Sequence, residues 1–206
     1  MGTKEEKSYN RSVPMEQELL SLGRKYHFDE QHARHVTQLA LQLFDQLREV
    51  HGLGEEERRW LEAAGWLHDI GQYIAYRGHH KHSYYLIMQA DLGGYDERAR
   101  AVIAAVARYH RKGGPRGRHA AWKALGKRER GCVAKLAAIL RIADAFDRCH
   151  AGTVREVQAS VGRGRVELKV AAAGPLAADA AVLARKTALF REVFGQEVVI
   201  RTNHEE

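Results

Sequence analysis

The sequence predicts a mainly α-helical fold that passes, near its C-terminus, into a small α+β unit. Three observations carry this prediction. Apolar residues recur at helical spacing through most of the chain up to about residue 150. Asp, Gly and Pro stand between those runs, where helices start and stop. Beyond residue 150 the period changes to alternation in two short runs joined by Gly162-Arg163-Gly164. A length of 206 residues suffices for one substantial core plus a small appendage. The expected layout is a polar, disordered tail over 1–13, a helical domain over 14–150 and a small α+β subdomain over 151–206.

Pro14 suits the first position of a helix reaching about Tyr26. Asp29 suits the N-cap of the next, in which Val36, Leu39, Ala40, Leu43, Phe44 and Leu47 form an apolar stripe. Gly52 and Gly54 punctuate, and a third helix is expected from Glu55 to Ile70, closed by Gly71. Residues 77–81 read as a loop before a helix over His82–Ala90, which Gly93-Gly94 ends. Asp96 caps a helix reaching His110, and a basic, glycine-containing loop spans Arg111–Arg118. Helical character returns at Ala120–Leu125 and from Arg128 to Arg148. Strands at Val154–Ser160 and Arg165–Val170, a helix at Ala178–Phe194 and a strand at Glu197–Arg201 make a ββαβ tail.

Hydrophobic residues at 45% and charged residues at 29% describe an ordinary globular chain. No apolar run approaches a membrane span and the first residues carry no apolar signal core, so a cytoplasmic location with no membrane partner is expected. Cys132 and Cys149 fit neither a disulfide framework nor a paired-cysteine metal clamp. A net charge of +7 favours anionic partners as well as solubility. Nucleic acid is not the expected partner, because the chain offers no recognisable module or aromatic platform for it.

The chemistry lies where apolar stripes end in polar groups. Ala99, Val102, Ile103 and Val106 lead to His110 on one helix face, and Val133, Leu136, Ala137 and Leu140 lead to Asp144 on another. His68 follows Leu61 and Ala64, with Asp69 about 100° further round. His35 precedes Leu39 by one turn, and His82 precedes Leu86 by one turn. Burying such groups unpaired is costly, and a shared cation removes that cost. The candidate metal ligands are therefore His35, His68, Asp69, His82, His110 and Asp144. A set of imidazoles and carboxylates without thiolates suits borderline or harder divalent ions, here Mn, Fe, Co, Ni, Zn or Mg. It is large enough for two ions sharing a carboxylate, or one ion with open positions. His32, His51, His119 and His150 read as ordinary surface or interhelical residues, and Asp144 taken alone could pair with Arg141 or Arg148.

The order His35, His68-Asp69, Asp144 on successive helices resembles the HD superfamily of metal-dependent phosphohydrolases, and His82 and His110 resemble its two-metal versions. Leu67–Gly71, Gly78–Ile87, Arg108–Lys112 and Leu140–Arg148 are similar to the C-terminal HD region of the exopolyphosphatase / guanosine pentaphosphate phosphohydrolase (Ppx/GppA) family. The similarity runs from about Tyr26 into the tail. It implies an HD-domain helical bundle with a small C-terminal ββαβ subdomain. That family carries its exopolyphosphatase site in N-terminal actin-like domains, for which this chain has no room, so what carries over is the HD module alone.

The resemblance implies hydrolysis of a phosphoanhydride or phosphoester bond in a nucleotide or polyphosphate-type substrate by metal-activated water. His68 and Asp69 are the residues expected to carry catalysis, with Asp69 bridging if two ions bind. Lys81, Arg111, Lys112 and Arg148 are the expected phosphate-binding side chains. Arg116 and Arg118 read as a solvated rim. The alternative is a regulatory HD module that binds a nucleotide or polyphosphate without turnover. The tail is expected either to cover the site or to form a homodimer contact.

Overall fold

The computed structural model describes residues 6–111, 113–174, 176 and 178–204. The fold is mainly helical with one three-stranded sheet. In chain order the elements are α1 (Glu6–Lys25), α2 (Glu30–Gln46), α3 (Arg48–His51), α4 (Glu55–Leu67), a 3-10 turn (Ile70–Tyr73), α5 (His79–Gln89), α6 (Glu97–Tyr109), α7 (Ala120–Lys123), α8 (Lys127–Phe146), β1 (Val154–Gly162), β2 (Arg165–Ala172), α9 (Ala180–Phe194) and β3 (Glu197–His204). The first helix starts at Glu6, before Pro14, and residues 1–5 lie outside the described residues. α5 begins at His79, one turn earlier than the sequence suggests.

The caps at Asp29 and Asp96 form as expected. Asp29 accepts the His32 N–H at 3.0 Å and Asp96 accepts the Ala99 N–H at 2.7 Å. Asp179 does the same for Val182 at 2.7 Å, opening α9. The core forms where α2, α4, α6 and α8 pack together, and Leu39, Leu43, Phe44, Leu61, Leu67, Ile103, Val106, Leu136 and Leu140 are buried there.

Two glycines let backbones meet. A Cβ at Gly65 would lie 2.6 Å from Thr37 Oγ1, so α4 presses directly on α2. A Cβ at Gly71 would lie 2.2 Å from His79 O and 2.3 Å from Ser83 N. Ser83 Oγ also accepts the Gly71 N–H at 2.9 Å. The 3-10 turn that follows Asp69 is thereby docked against the first turn of α5.

The sheet runs β1-β2-β3, with β1 antiparallel to β2 and β2 parallel to β3 through the α9 crossover. β1 is an edge strand whose free backbone groups are taken up by two glutamines of α2. Gln46 Nε2 donates to Val157 O at 2.8 Å and Gln46 Oε1 accepts from Ala159 N–H at 2.8 Å, while Gln42 Oε1 accepts from Val157 N–H at 3.1 Å. Val157, Val166, Leu168, Leu189 and Phe190 belong to the same apolar cluster as the helices. α9 packs along α8, which brings the tail over the helical part of the chain.

Candidate metal centre

Six side chains converge from helix ends. His68 lies at the C-cap of α4, and Asp69 starts the 3-10 turn. His110 caps α6, and Asp144 sits in the last turn of α8. His32 is in the first turn of α2, and His79 opens α5. Asp69 stands at the middle with its two oxygens facing different pairs of rings. Its Oδ1 is 3.0 Å from His79 Nε2 and 3.4 Å from His110 Nε2. Its Oδ2 is 3.7 Å from His68 Nε2 and 4.0 Å from His32 Nε2. Asp144 Oδ1 completes the second group, 3.8 Å from His32 Nε2 and 3.9 Å from His68 Nε2.

The other ring nitrogen of each histidine explains why Nε2 points inward. His68 Nδ1 donates to Gly65 O at 2.7 Å and His110 Nδ1 to Ala107 O at 2.6 Å. A carbonyl only accepts, so the proton of each neutral ring is on Nδ1 and the Nε2 lone pair faces the centre. His32 Nδ1 lies 2.8 Å from Asp147 Oδ2, and that carboxylate is held in turn by the Gly152 N–H at 2.8 Å. His79 Nδ1 lies 3.1 Å from both Tyr76 O and Arg111 Nη1. Outer partners of this kind orient metal-binding imidazoles. Gln72 Nε2 donates to Asp69 Oδ2 and fixes the carboxylate from outside.

The residues present fit a cation. His68 Nε2 and Asp69 Oδ1 are buried acceptors without a hydrogen-bond partner, a state that costs about 1–3 kcal/mol per group. The ligand atoms of His32, His68 and Asp144 lie within 4.8 Å of one another, as do those of His68, Asp69 and His110. Burial holds the His68 imidazole below its ordinary range and the His110 imidazole well below it, so both are neutral. Burial alone would raise Asp144, but the Lys186 ammonium holds it down to about 2. Asp69 is also held well below the carboxylate range, against its burial, because its charge and that of a protonated ring beside it, His68 foremost, stabilise each other, so a proton taken up by the cluster goes to a ring and not to Asp69. Burial would lower His32, yet the Asp147 hydrogen bond and the Asp144 and Asp69 charges raise it. Two ionised carboxylates thus share a confined space lined with imidazole nitrogens, of which His68 Nε2 has no hydrogen-bond partner.

A cleft of about 780 Å³ opens above them. Arg111, Arg141, Arg148, Arg185 and Lys186 supply its positive wall, and Val182 and Leu189 of α9 close one side. Lys186 donates to Asp144 Oδ2. Arg141 is committed to structure, donating to Tyr109 O at 2.7 Å and Gly113 O at 2.6 Å, and burial lowers its pKa to about 10. Arg111 lies over the ring of exposed Tyr76 at 4.9 Å.

Of the sequence-derived ligands, His68, Asp69, His110 and Asp144 come together, and His35 and His82 do not join them. His35 lies one turn deeper in α2 than His32 and about 60° round the helix; its Nε2 is buried without a partner. His82 is half-buried against Gly71, displaced because α5 starts three residues early and puts His79 in the place expected for it. Arg111 and Arg148 line the cleft, whereas Lys81 lines a separate pocket and Lys112 lies outside the described residues. Asp144 pairs with Lys186, not with Arg141 or Arg148. His150 is more than a surface residue. It stacks on His32 with ring centroids 3.7 Å apart, and its Nδ1 donates to Asp29 Oδ2 at 2.8 Å. Sequence reasoning also passed over Arg185 and Lys186, and it read Asp147 as a helix-end partner for Arg148 and not as the partner of His32. A histidine in the first turn after a good cap was a signal available for His32; α9 gave none for Lys186.

Comparison with known proteins places this chain in a family. No helix among the described residues is long and apolar enough to cross a membrane. The guanosine-5'-triphosphate,3'-diphosphate pyrophosphatase of Pseudoalteromonas atlantica is 36% identical over 88 residues, 42% of this chain and 18% of its own. The protein of the same name from Pseudoalteromonas translucida is 34% identical over 93 residues, again 42% and 18% of the two chains. That from Vibrio vulnificus is 32% identical over 94 residues, 45% and 19%. This chain thus matches about a fifth of the length of these curated relatives. The description of the Ppx/GppA phosphatase family, domain III, matches residues 16–186, from α1 into α9 as far as Lys186. The chain belongs to the Ppx/GppA phosphatase family and corresponds to its domain III.

Proposed function

We propose that this chain is a metal-dependent phosphohydrolase of the HD type, acting on a phosphoanhydride or phosphoester bond of a nucleotide or polyphosphate-type substrate. The observation that carries the reading is the convergence of inward-facing imidazole nitrogens on two ionised, buried carboxylates, with cations on the wall above. In this reading His32, His68, Asp69 and Asp144 would hold one divalent ion, and His79, His110 and Asp69 would hold a second where two bind. Asp69 would serve as a ligand and not as a free base. A divalent ion would supply Lewis acidity there and would bring the pKa of a water beside it down to about 7.

The chain's own groups do the rest. Asp147 keeps the His32 proton on Nδ1, and the Gly65 and Ala107 carbonyls do so for His68 and His110. Arg111, Arg148 and Arg185 line the cleft where phosphoryl oxygens would sit, and guanidinium groups match them in a bidentate way. Lys186 offsets carboxylate charge that would otherwise repel a phosphate. Leu189 and Val182 keep one side of the cleft dry. Guanosine 5'-triphosphate 3'-diphosphate, the substrate in the relatives' names, is a first candidate.

A second reading is a binding module without turnover, favoured by the match being to one domain of much longer relatives. Phosphate release separates the two. The purified chain is assayed with Mn²⁺ or with EDTA on guanosine 5'-triphosphate 3'-diphosphate, tripolyphosphate and p-nitrophenyl phosphate. Metal-dependent release that falls at least about a hundredfold in Asp69→Ala supports the enzyme. Metal bound in the wild type with no release from any of the three sinks it and leaves the binding module.

A further inference from the structure

A second depression, of about 230 Å³, lies behind the metal centre and shares Gly113 with the main cleft. Lys81, Arg108, Arg116 and Arg118 line it together with His80 and His119, and no carboxylate does. Among the described residues none of these four cations makes a salt bridge, whereas Arg24, Arg34, Arg48, Arg58, Arg98 and Arg191 all do. The Arg108 Nε is buried with no hydrogen-bond partner, and so is His80 Nδ1. Arg108 is held between aromatic rings, 5.8 Å from the centroids of Tyr84 and Tyr109. His119 is set beside it by a contact of its Nδ1 with the Tyr109 hydroxyl at 3.2 Å.

Four unpaired cations in one concavity repel one another, and an oxyanion removes that repulsion while accepting the unused N–H groups. The pocket is smaller than the roughly 300–1,000 Å³ typical of sites for whole small molecules. It has room for a phosphate group and not for a nucleoside. We propose that it is a metal-independent site for a phosphate group, separate from the metal centre. The phosphate can come from the far end of a substrate seated in the main cleft or from free phosphate in solution. Adjacency permits the first source, since the His79 and His80 rings are 5.9 Å apart, one facing each depression.

The site is tested without turnover, so its failure is distinct from failure of the hydrolase reading. Inorganic phosphate is titrated calorimetrically into the EDTA-treated full chain, its Asp69→Ala variant and an Arg116→Ala/Arg118→Ala variant. Both arginines are exposed, and unchanged circular dichroism checks the fold. Saturable binding in the first two, weakened about tenfold or more in the third, is expected. Absence of saturable binding in the wild type, or equal binding in the double variant, overturns the proposal. Steady-state kinetics of the metal-loaded protein then identifies the source. A higher KM for tripolyphosphate with an unchanged KM for p-nitrophenyl phosphate assigns the site to the substrate's remote phosphate. Lost binding with both KM values unchanged assigns it to free phosphate.

Discussion

The two depressions that meet at Gly113 are both lined by histidine and arginine but have opposite deficits. In the larger, the buried atoms without partners are acceptors, His68 Nε2 and Asp69 Oδ1, among ionised carboxylates. In the smaller, Arg108 Nε is an unpaired donor among cations that no acid neutralises. Histidine occurs in both and decides neither. The lesson is that a cluster of polar residues is read by what its neighbours have already satisfied. Where carbonyls take the imidazole proton, the remaining lone pair asks for a cation; where cations crowd without acceptors, the pocket asks for an anion.

The comparison breaks first at the outer partners. Asp147→Ala removes the acceptor that orients His32, and metal affinity measured by chelator competition is expected to fall about 10- to 100-fold. Phosphate binding at the basic pocket should not change in that variant. Gly71→Ala tests whether docking of the 3-10 turn on α5 places Asp69 beside His79. A methyl there meets backbone at 2.2 Å, so a loss of about 1–3 kcal/mol in urea unfolding is expected, along with weakened metal binding. If stability and metal affinity both stay at wild-type values, that packing does not position the site.

Lys186→Met sharpens the division of labour between floor and wall. Its ammonium pairs with Asp144 and competes with a bound cation. Metal affinity should rise, or at least hold, while KM for a phosphorylated substrate rises about tenfold. Loss of metal in this variant would mean that Lys186 supports the floor instead.

The smallest effect is a graded pH dependence of the metal-free protein. His68 and His110 are held below the ordinary value of 6.5 by burial, and His80 is held to about 4 by burial and neighbouring cations. A histidine depressed in the native state binds its proton more readily when unfolded, so acidification below about 6.5 favours unfolding until the native pKa is passed. His32, raised by Asp147, Asp144 and Asp69, works the other way and contributes stability at the acid side. Depressed groups outnumber it among these four. The melting temperature of the EDTA-treated chain should therefore decline from pH 7 towards pH 4. A melting temperature that rises across this interval would contradict these assignments.

Much of the fold was legible because each helix carries its own signals. The caps at Asp29 and Asp96 and the hairpin at Gly162-Arg163-Gly164 are local. His68, Asp69, His110 and Asp144 were legible because each ends an apolar stripe. In the structure His32 and His79 stand beside Asp69 where the sequence suggests His35 and His82, and each lies three residues towards the N-terminus of the expected one. Residues three apart lie on nearly the same helix face, so the stripe alone does not choose between them. The start of the helix does: only a first-turn side chain projects past the end of the core. For α5 that start follows Gly78, whose φ of +84° permits the abrupt entry. Lys186 and Arg185 were not legible at all. They reach the site because α9 lies along α8, a tertiary contact that leaves no mark on the periodicity of α9.

The most direct measurement is a crystal structure of the Mn²⁺-loaded chain with anomalous differences recorded near the manganese edge. The account predicts density at Asp69, with the imidazole Nε2 atoms of His32 and His68 and a carboxylate oxygen of Asp144 around one ion. Manganese bound only elsewhere, or a fully loaded protein with no peak among residues 32, 68, 69 and 144, would contradict it.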